Sequence, residues 1–318
     1  MALVSVIIPC YNGEKTIERC LDSVLMQDYT PIEVLVVNDG STDHSAQLVQ
    51  AYAQRFANAG MRLVLINQEN KGLAGAINAG LKCFSGDYLC WIDCDDYLLE
   101  SSVSKRVNFL EQNPEIAVVT SDAYFFDETD LCNPVQKASD GKPDLHNPYQ
   151  FENHLRSRAI FCPGCHMVRT TAFLDAIPHR KIYPARRGQN WQMLLPVYYK
   201  YKQAFFNEPL YAYILYSNSM SSGDHTKEQY LTRYNEYREI IVNTLASIDM
   251  PQPERQKYLK IYEGLYNRQR FYLGVSFHDY GMLLDGCVKM MVYREFRIQD
   301  LAWLAGLVKN RIFRKKVK

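Results

Sequence analysis

An α/β fold built on a mostly parallel sheet is predicted here by three observations. Near-continuous apolar runs read as strands buried on both faces, helical stripes separate those runs, and polar residues gather where the runs end. Val4 to Pro9 is the first such run. Ile17, Cys20, Leu21, Val24 and Leu25 then recur at helical spacing and define one apolar face. Ile32 to Val37 is the second strand and ends in Asn38-Asp39-Gly40-Ser41. Leu48, Val49, Tyr52 and Phe56 form a second helical stripe, and Leu63 to Ile66 a third strand. Gly72 to Leu81 opens on a glycine-rich turn and continues as a helix. Tyr88 to Ile92 is the fourth strand, and Ala117 to Phe126 a fifth after a helix from Ser102 to Gln112.

The pattern changes after Asp127. Residues 127 to 150 read as a long loop, residues 160 to 223 are mixed and rich in Tyr and Pro, and the chain is helical from about Thr226 onward. Two regions are expected: an α/β domain over 1–223, divided into halves 1–126 and 127–223, and a helical region over 224–318. Tyr230, Tyr234 and Tyr237, then Tyr258, Ile261, Tyr262 and Leu265, carry the helical spacing of the second region. At its end Leu301, Leu304, Leu307, Val308 and Ile312 share a helical face, and Lys309, Arg311, Arg314, Lys315, Lys316 and Lys318 follow with no acid between them. A basic amphipathic helix of this kind suits an anionic membrane interface, so contact with the inner leaflet is expected.

Composition excludes several classes. A net charge of +1 over 318 residues gives no global electrostatic case for nucleic acid. The nine cysteines lack a framework spacing, and Cys162-Pro163-Gly164-Cys165 is a single CxxC pair where a zinc site wants two, so reduced thiols are expected. No basic segment precedes an apolar run at Met1–Cys10, and no run approaches the ~20 residues that span a bilayer. The α/β domain is expected to face the cytoplasm.

Asp93-Cys94-Asp95-Asp96 places three carboxylates directly after the fourth strand. Ligands of open α/β sheets bind at this edge. Carboxylates so close repel one another unless a positive partner intervenes, and a hard divalent cation, Mn²⁺ or Mg²⁺, is the simplest. On this segment alone an acidic helix cap serves equally well. The first strand ends in Pro9-Cys10-Tyr11-Asn12-Gly13 and the second at Asp39. A dinucleotide-binding Rossmann domain needs GxGxxG after its first strand; here that turn carries Tyr11, an aromatic suited to stacking on a base.

Four segments in order, VSVIIPCYNGEKTIERCLDSVLMQ, EVLVVNDGSTDHS, NKGLAGAINAGL and GDYLCWIDCDD, resemble the nucleotide-sugar glycosyltransferases of family 2, with the GT-A fold, over about the first 125 residues. The resemblance implies a nucleotide-sugar donor, with UDP first, and a glycan or lipid-linked acceptor. It implies inversion at the anomeric carbon, transfer of a hexosyl or N-acetylhexosaminyl group, and a place in surface polysaccharide synthesis. It puts Pro9 and Tyr11 against the nucleobase, Asp39 on the uracil ring, and Lys71 and Gly72 along the nucleoside and phosphates. It gives Asp93 to the ribose and the metal, and Asp95 to the metal in an Asp-x-Asp motif.

Three positions depart from the family's pattern. Gln189 and Asn190 occupy the slots of a Glu-Asp pair whose Asp commonly serves as the base, and an amide takes no proton at neutral pH. Asp175, Asp224, His166 and His225 are substitutes by residue type only. Ile77 stands where the family often has Arg, which would weaken pyrophosphate contacts. The resemblance puts Pro163 to Arg169 on the acceptor side; Tyr211, Tyr213 and Tyr216 suit a strand near it, with core or sheet packing as the default reading. The alternative reading is a non-catalytic nucleotide-sugar-binding module. A nucleotidyltransferase would need a glycine- and basic-rich triphosphate loop that Cys10 to Lys15 lacks.

Overall fold

The computed structural model describes residues 1–217, 223–298 and 300. The chain forms two compact units, Met1–Ser222 and Gly223–Lys318.

The first unit begins with the alternation β1 (Val4–Cys10), α1 (Ile17–Leu25), β2 (Ile32–Asp39), α2 (Ser45–Ala51), α3 (Ala53–Asn58), β3 (Arg62–Gln68), α4 (Gly72–Cys83) and β4 (Tyr88–Trp91). Every residue of β1, β2 and β4 is buried, as expected of strands covered on both faces. Strands β3, β2, β1 and β4 lie side by side and parallel, so their carboxyl ends open on one edge. The stripe read as one helix over 48–56 is two, α2 and α3, because the chain tightens at Tyr52, whose amide donates to the Val49 carbonyl at 3.1 Å. Tyr52 stays right-handed helical, so Val49, Tyr52 and Phe56 still share one buried side and the periodicity survives the break.

The unit continues with β5 (Tyr97–Leu98), α5 (Ser102–Gln112), β6 (Ile116–Asp127), β7 (Gln136–Lys137), α6 (Phe151–Leu155), a 3₁₀ turn (Pro163–Cys165), β8 (His166–Arg169), α7 (Thr170–Ala176), α8 (Gln189–Lys200) and β9 (Lys202–Leu215). Strand β8 enters between β4 and β6 and runs antiparallel to both, while β6 and β9 are parallel. The sheet is therefore mostly parallel with antiparallel additions, and the 128–150 stretch carries only β7 as strand among the described residues. Strand β9 includes Tyr211 and Tyr213, and Tyr216 follows its end.

The second unit consists of α9 (Lys227–Ser247), α10 (Gln252–Ser276) and α11 (Tyr280–Val292). Helix α9 starts at a capping box in which Thr226 Oγ1 accepts from the Gln229 amide and Gln229 Oε1 accepts from the Thr226 amide. Phe271, Val275, Leu283, Cys287 and Met290 form the core between α10 and α11. On the opposite side of α11, Leu284, Val288, Met291 and Val292 are exposed, at the spacing of one helical stripe. No helix among the described residues is long and apolar enough to cross a membrane. The basic amphipathic segment expected over 301–318 lies outside the described residues.

Candidate active site at the carboxyl edge

Strands β1 and β2 deliver their polar ends side by side, with Cys10 in register with Asn38. Pro9 is buried at the end of β1, and Tyr11 leaves the strand with 52% of its surface exposed. The loops after β1 and β2 are stitched together. The Asn12 amide donates to Ser41 Oγ (3.0 Å), the Thr42 amide to Asn12 Oδ1 (2.9 Å) and the Gly13 amide to Ser45 Oγ (2.8 Å). These bonds hold the backbone that follows the exposed Tyr11.

Asp39 is buried, and its Oδ1 accepts from Gln68 Nε2 (2.6 Å) and from the Lys71 amide (2.8 Å). Its position ties β2 to the turn that opens α4, where Lys71 is exposed and Gly72 has φ +73°. Gly40 also has φ +73°, and a Cβ there would stand 2.8 Å from the Asn70 amide nitrogen, so the two turns approach only because this residue has no side chain. Ile77 is wholly buried and supplies packing rather than a phosphate contact; its neighbour Asn78 pins the 182 segment through Ile182 (2.8 and 3.0 Å).

The acidic turn follows β4 immediately. Asp93, Asp95 and Asp96 offer carboxylate oxygens that all lie within 4.8 Å of one another. The three are not equivalent. Asp96 is buried and engaged at both oxygens, by the Tyr211 hydroxyl (2.6 Å) and the Ile214 amide (2.8 Å), so it anchors the turn to β9. Asp93 and Asp95 are half-buried, and among the described residues no other residue donates a hydrogen bond to either carboxylate. Burial, then the Asp95 charge, pushes Asp93 up to about 7. Burial raises Asp95 as well, although the Arg19 guanidinium pulls it the other way. That guanidinium bonds the Asp95 backbone carbonyl and the Tyr216 hydroxyl (3.0 Å), which leaves the carboxylate itself open. Two open carboxylates with raised proton affinity, beside a third that is tied down, fit a hard divalent cation, which takes oxygen ligands and removes their repulsion.

Three thiols lie beneath this turn. Cys10 and Cys94 are hydrogen-bonded to each other, and Cys20 Sγ approaches the Asp93 carbonyl at 3.7 Å. The bond to Cys94, with others from Ser45 and Gly13, holds the Cys10 thiol below its ordinary range.

The acceptor-side residues form a different environment. Asn190, in the first turn of α8, is buried; its Oδ1 accepts from Trp91 Nε1 (2.7 Å) and its Nδ2 donates to the Phe161 carbonyl. The amide thus clamps α8 to the end of β4. Gln189 beside it is also buried. His166 lies on β8, stacks on Trp91 with ring centroids 6.1 Å apart, and meets Thr120 Oγ1 through Nδ1 (3.1 Å). His154 stacks on Phe161 at 4.4 Å and meets the Asn190 carbonyl (3.4 Å). Burial pushes His154 down to about 3 and His166 well below its ordinary value, so both rings are neutral. Asp175 is exposed and engaged by Lys200 Nζ (2.9 Å) and the Tyr201 hydroxyl (3.0 Å). Asp224 and His225 belong to the second unit. The structure therefore brings Pro9, Tyr11, Asp39, Lys71, Gly72, Asp93 and Asp95 to the ends of β1, β2 and β4 and the start of α4, and sets Gln189 and Asn190 at the start of α8.

Sequence reasoning overlooked Gln68 and Arg19, which position the carboxyl-edge turns, the part Asn12 plays in joining two of those turns, and the Trp91–Asn190 bond. Their signals are polar residues of ordinary type within loops and helices, and only long-range contact gives them a role.

A mostly parallel sheet whose carboxyl edge carries an acidic turn, extended by antiparallel strands on one side, defines a GT-A fold. Residues 5–176 match the profile described as Glycosyl transferase family 2, more than half of the chain, and the protein belongs to that family. It is 41% identical over 111 residues to an uncharacterized glycosyltransferase, EpsJ, of Bacillus subtilis, covering 35% of this chain and 31% of that protein. It is 29% identical over 228 residues to the glycosyltransferase GlyA of Streptococcus pneumoniae, covering 69% of this chain and 31% of that one. The chain spans about a third of the length of these curated relatives. Among solved structures, S. aureus TarS 1–349 in complex with UDP-GlcNAc superposes with a TM-score of 0.65 at 18% identity, covering 91% of this chain and 81% of that one. The mannosyltransferase PcManGT of Pyrobaculum calidifontis, in complex with GDP-Man and Mn²⁺, superposes with a TM-score of 0.55 at 18% identity, covering 97% and 87%.

Proposed function

We propose that this protein is an inverting glycosyltransferase that moves a hexosyl or N-acetylhexosaminyl group from a nucleotide sugar, with UDP as the nucleotide, to a hydroxyl of a glycan or lipid-linked acceptor. The observation that carries the reading is the pair of open carboxylates on Asp93 and Asp95 beside an exposed Tyr11 and an engaged Asp39. Tyr11 stacks on the base, and Asp39, fixed through Oδ1, accepts from the base edge with its other oxygen. Lys71 and Gly72 line the nucleoside and phosphates, and Pro9 packs under the base. Asp93 and Asp95 hold Mn²⁺ or Mg²⁺, and Asp93 also reaches the ribose. When bound, such a cation neutralises charge on the departing diphosphate. The acceptor oxygen attacks the anomeric carbon, the bond to the phosphate oxygen breaks, and the hydroxyl proton leaves to a base. Gln189 and Asn190 shape the acceptor side and orient; neither takes that proton.

Surface polysaccharide synthesis on the cytoplasmic face of the inner membrane is the setting proposed. The exposed stripe of Leu284, Val288, Met291 and Val292 on α11, followed in sequence by the cations from Lys309 to Lys318, supports contact with an anionic leaflet. Anionic vesicles are expected to sediment the full chain and to release it after truncation at residue 300; equal sedimentation of both defeats the membrane proposal.

A second reading, a nucleotide-sugar-binding module without turnover, draws on Asn190, whose amide is engaged at both ends where the family's carboxylate would stand. Incubating the protein with labelled UDP sugars, Mn²⁺ and a panel of lipid-linked and oligosaccharide acceptors separates the two. Transfer supports the enzyme, and Mn²⁺-dependent UDP binding without transfer or donor hydrolysis supports the module.

A further inference from the structure

Cys10 ends β1, and Cys94 lies in the acidic turn that follows the neighbouring strand β4. The register of β1 with β4 runs from Val4 opposite Tyr88 to Ile7 opposite Trp91, and the Ile92 amide continues it by donating to the Ile7 carbonyl at 3.0 Å. Beyond Trp91 the chain leaves the strand, and Cys94 lies in the acidic turn at the end of β1. Side chains alternate along a strand, and Val6, Ile8 and Cys10 lie in the same apolar cluster as Cys90 and Ile92, with Cys94 packed against it. The sulfurs converge on one spot: a Cβ placed on Gly13 would lie 3.0 Å from Cys10 Sγ and 3.1 Å from Cys94 Sγ. Cys94 is half-buried and stands between Asp93 and Asp95, and nothing in the chemistry proposed above uses either thiol.

We propose that Cys10 and Cys94 are an oxidisable pair whose disulfide clamps the acidic turn to the end of β1 and weakens nucleotide binding. The oxidant is a peroxide. The Cys10 sulfur attacks one peroxide oxygen, the O–O bond breaks and the other oxygen leaves as water after taking a proton, which gives a sulfenic acid. The Cys94 sulfur then attacks the Cys10 sulfur, the S–O bond breaks, and the Cys94 proton leaves with the oxygen as a second water. Two thiols are oxidised by two electrons and one peroxide is reduced. The bond forms only if residue 94 is drawn toward β1, and its two neighbours are the open carboxylates. Cys20 is wholly buried with its thiol on the Asp93 carbonyl, and it serves as an internal control.

The effect on nucleotide binding rests on the proposed donor site; formation of the bond does not. The full chain is treated with hydrogen peroxide, alkylated and digested, and peptides are mapped by mass spectrometry with and without dithiothreitol. The expected result is a reducible peptide linking Cys10 to Cys94. Calorimetry with UDP and Mn²⁺ is expected to show at least tenfold weaker binding after peroxide, restored by dithiothreitol. Cys10→Ser is expected to resist peroxide in this assay, and Cys20→Ser to remain sensitive. Absence of the Cys10–Cys94 link, or a link that leaves UDP affinity unchanged, overturns the proposal. A link in a protein that never binds UDP supports the bond and defeats the donor reading instead.

Discussion

The carboxyl edge of β1, β2 and β4 and the start of α8 meet at Trp91, yet they solve the problem of polarity in opposite ways. The edge keeps charge: two half-buried carboxylates stand open with raised proton affinity, and an aromatic ring projects into solvent. The α8 side is uncharged where the two regions touch. Asn190 spends both ends of its amide on Trp91 and Phe161, and the two histidines stay uncharged. An open, repelling pair of acids costs stability and is retained where a cation can offset it. A closed amide network stabilises and specifies a local geometry. On the function proposed above, the first region handles charge and the second positions.

The largest effect that can break this contrast is at Asp95. Asp95→Ala is expected to weaken Mn²⁺-dependent UDP binding at least a hundredfold in calorimetry, with little change in melting temperature, because the carboxylate makes no bond to another residue. Unchanged affinity removes the charge-handling role. Next is the anchor that ties the acidic turn of the first region to β9. Tyr211→Phe leaves one oxygen of the buried Asp96 without its donor and is expected to cost about 2 kcal/mol in denaturant unfolding. A loss below about 0.5 kcal/mol would show that Asp96 is not an anchor.

The third test concerns the neutral histidines. His154 is held at about 3 in the folded chain against an ordinary value of 6.5. Between those values the unfolded chain binds one proton more, so stability is full above about 6.5 and falls as the pH drops through the window. One such group contributes a slope of about 1.4 kcal/mol per pH unit, and His166 shifts in the same direction. His154→Phe is expected to reduce the slope of unfolding free energy against pH by about one proton between pH 6.5 and 5; an unaltered slope shows that the ring is not held neutral. The smallest effect is expected at Gln68. Gln68→Ala leaves Asp39 the Lys71 amide, and UDP affinity should fall only about threefold, near 0.6 kcal/mol. A hundredfold loss would make Gln68 a direct nucleotide contact.

How much of this was legible beforehand differs along the chain. Strands β1, β2 and β4 were readable as continuous apolar runs, and helices α1, α4 and α5 because each buries the face that its apolar period marks. The acidic turn and Tyr11 were visible for the same reason, as polar residues that interrupt such runs. Strand β8 was not readable as an antiparallel insertion. Its four residues follow a 3₁₀ turn and carry no direction in their composition. The break at Tyr52 was hidden because both short helices present one continuous stripe.

The sequence by itself determined the class of fold, the order of its first strands and helices, the family, and the residues that meet at the carboxyl edge. Local periodicity and turn chemistry are written into neighbouring residues, so they can be read without coordinates. Only the tertiary structure decided that Asp96 is tied to β9 while Asp93 and Asp95 are open, that Asn190 closes on Trp91, and that the Cys10 and Cys94 sulfurs converge beside Gly13. Those distinctions arise from partners distant along the chain, 84 residues apart for the two thiols and 115 for Asp96 and Tyr211, and spacing in sequence carries no record of which distant group a side chain meets.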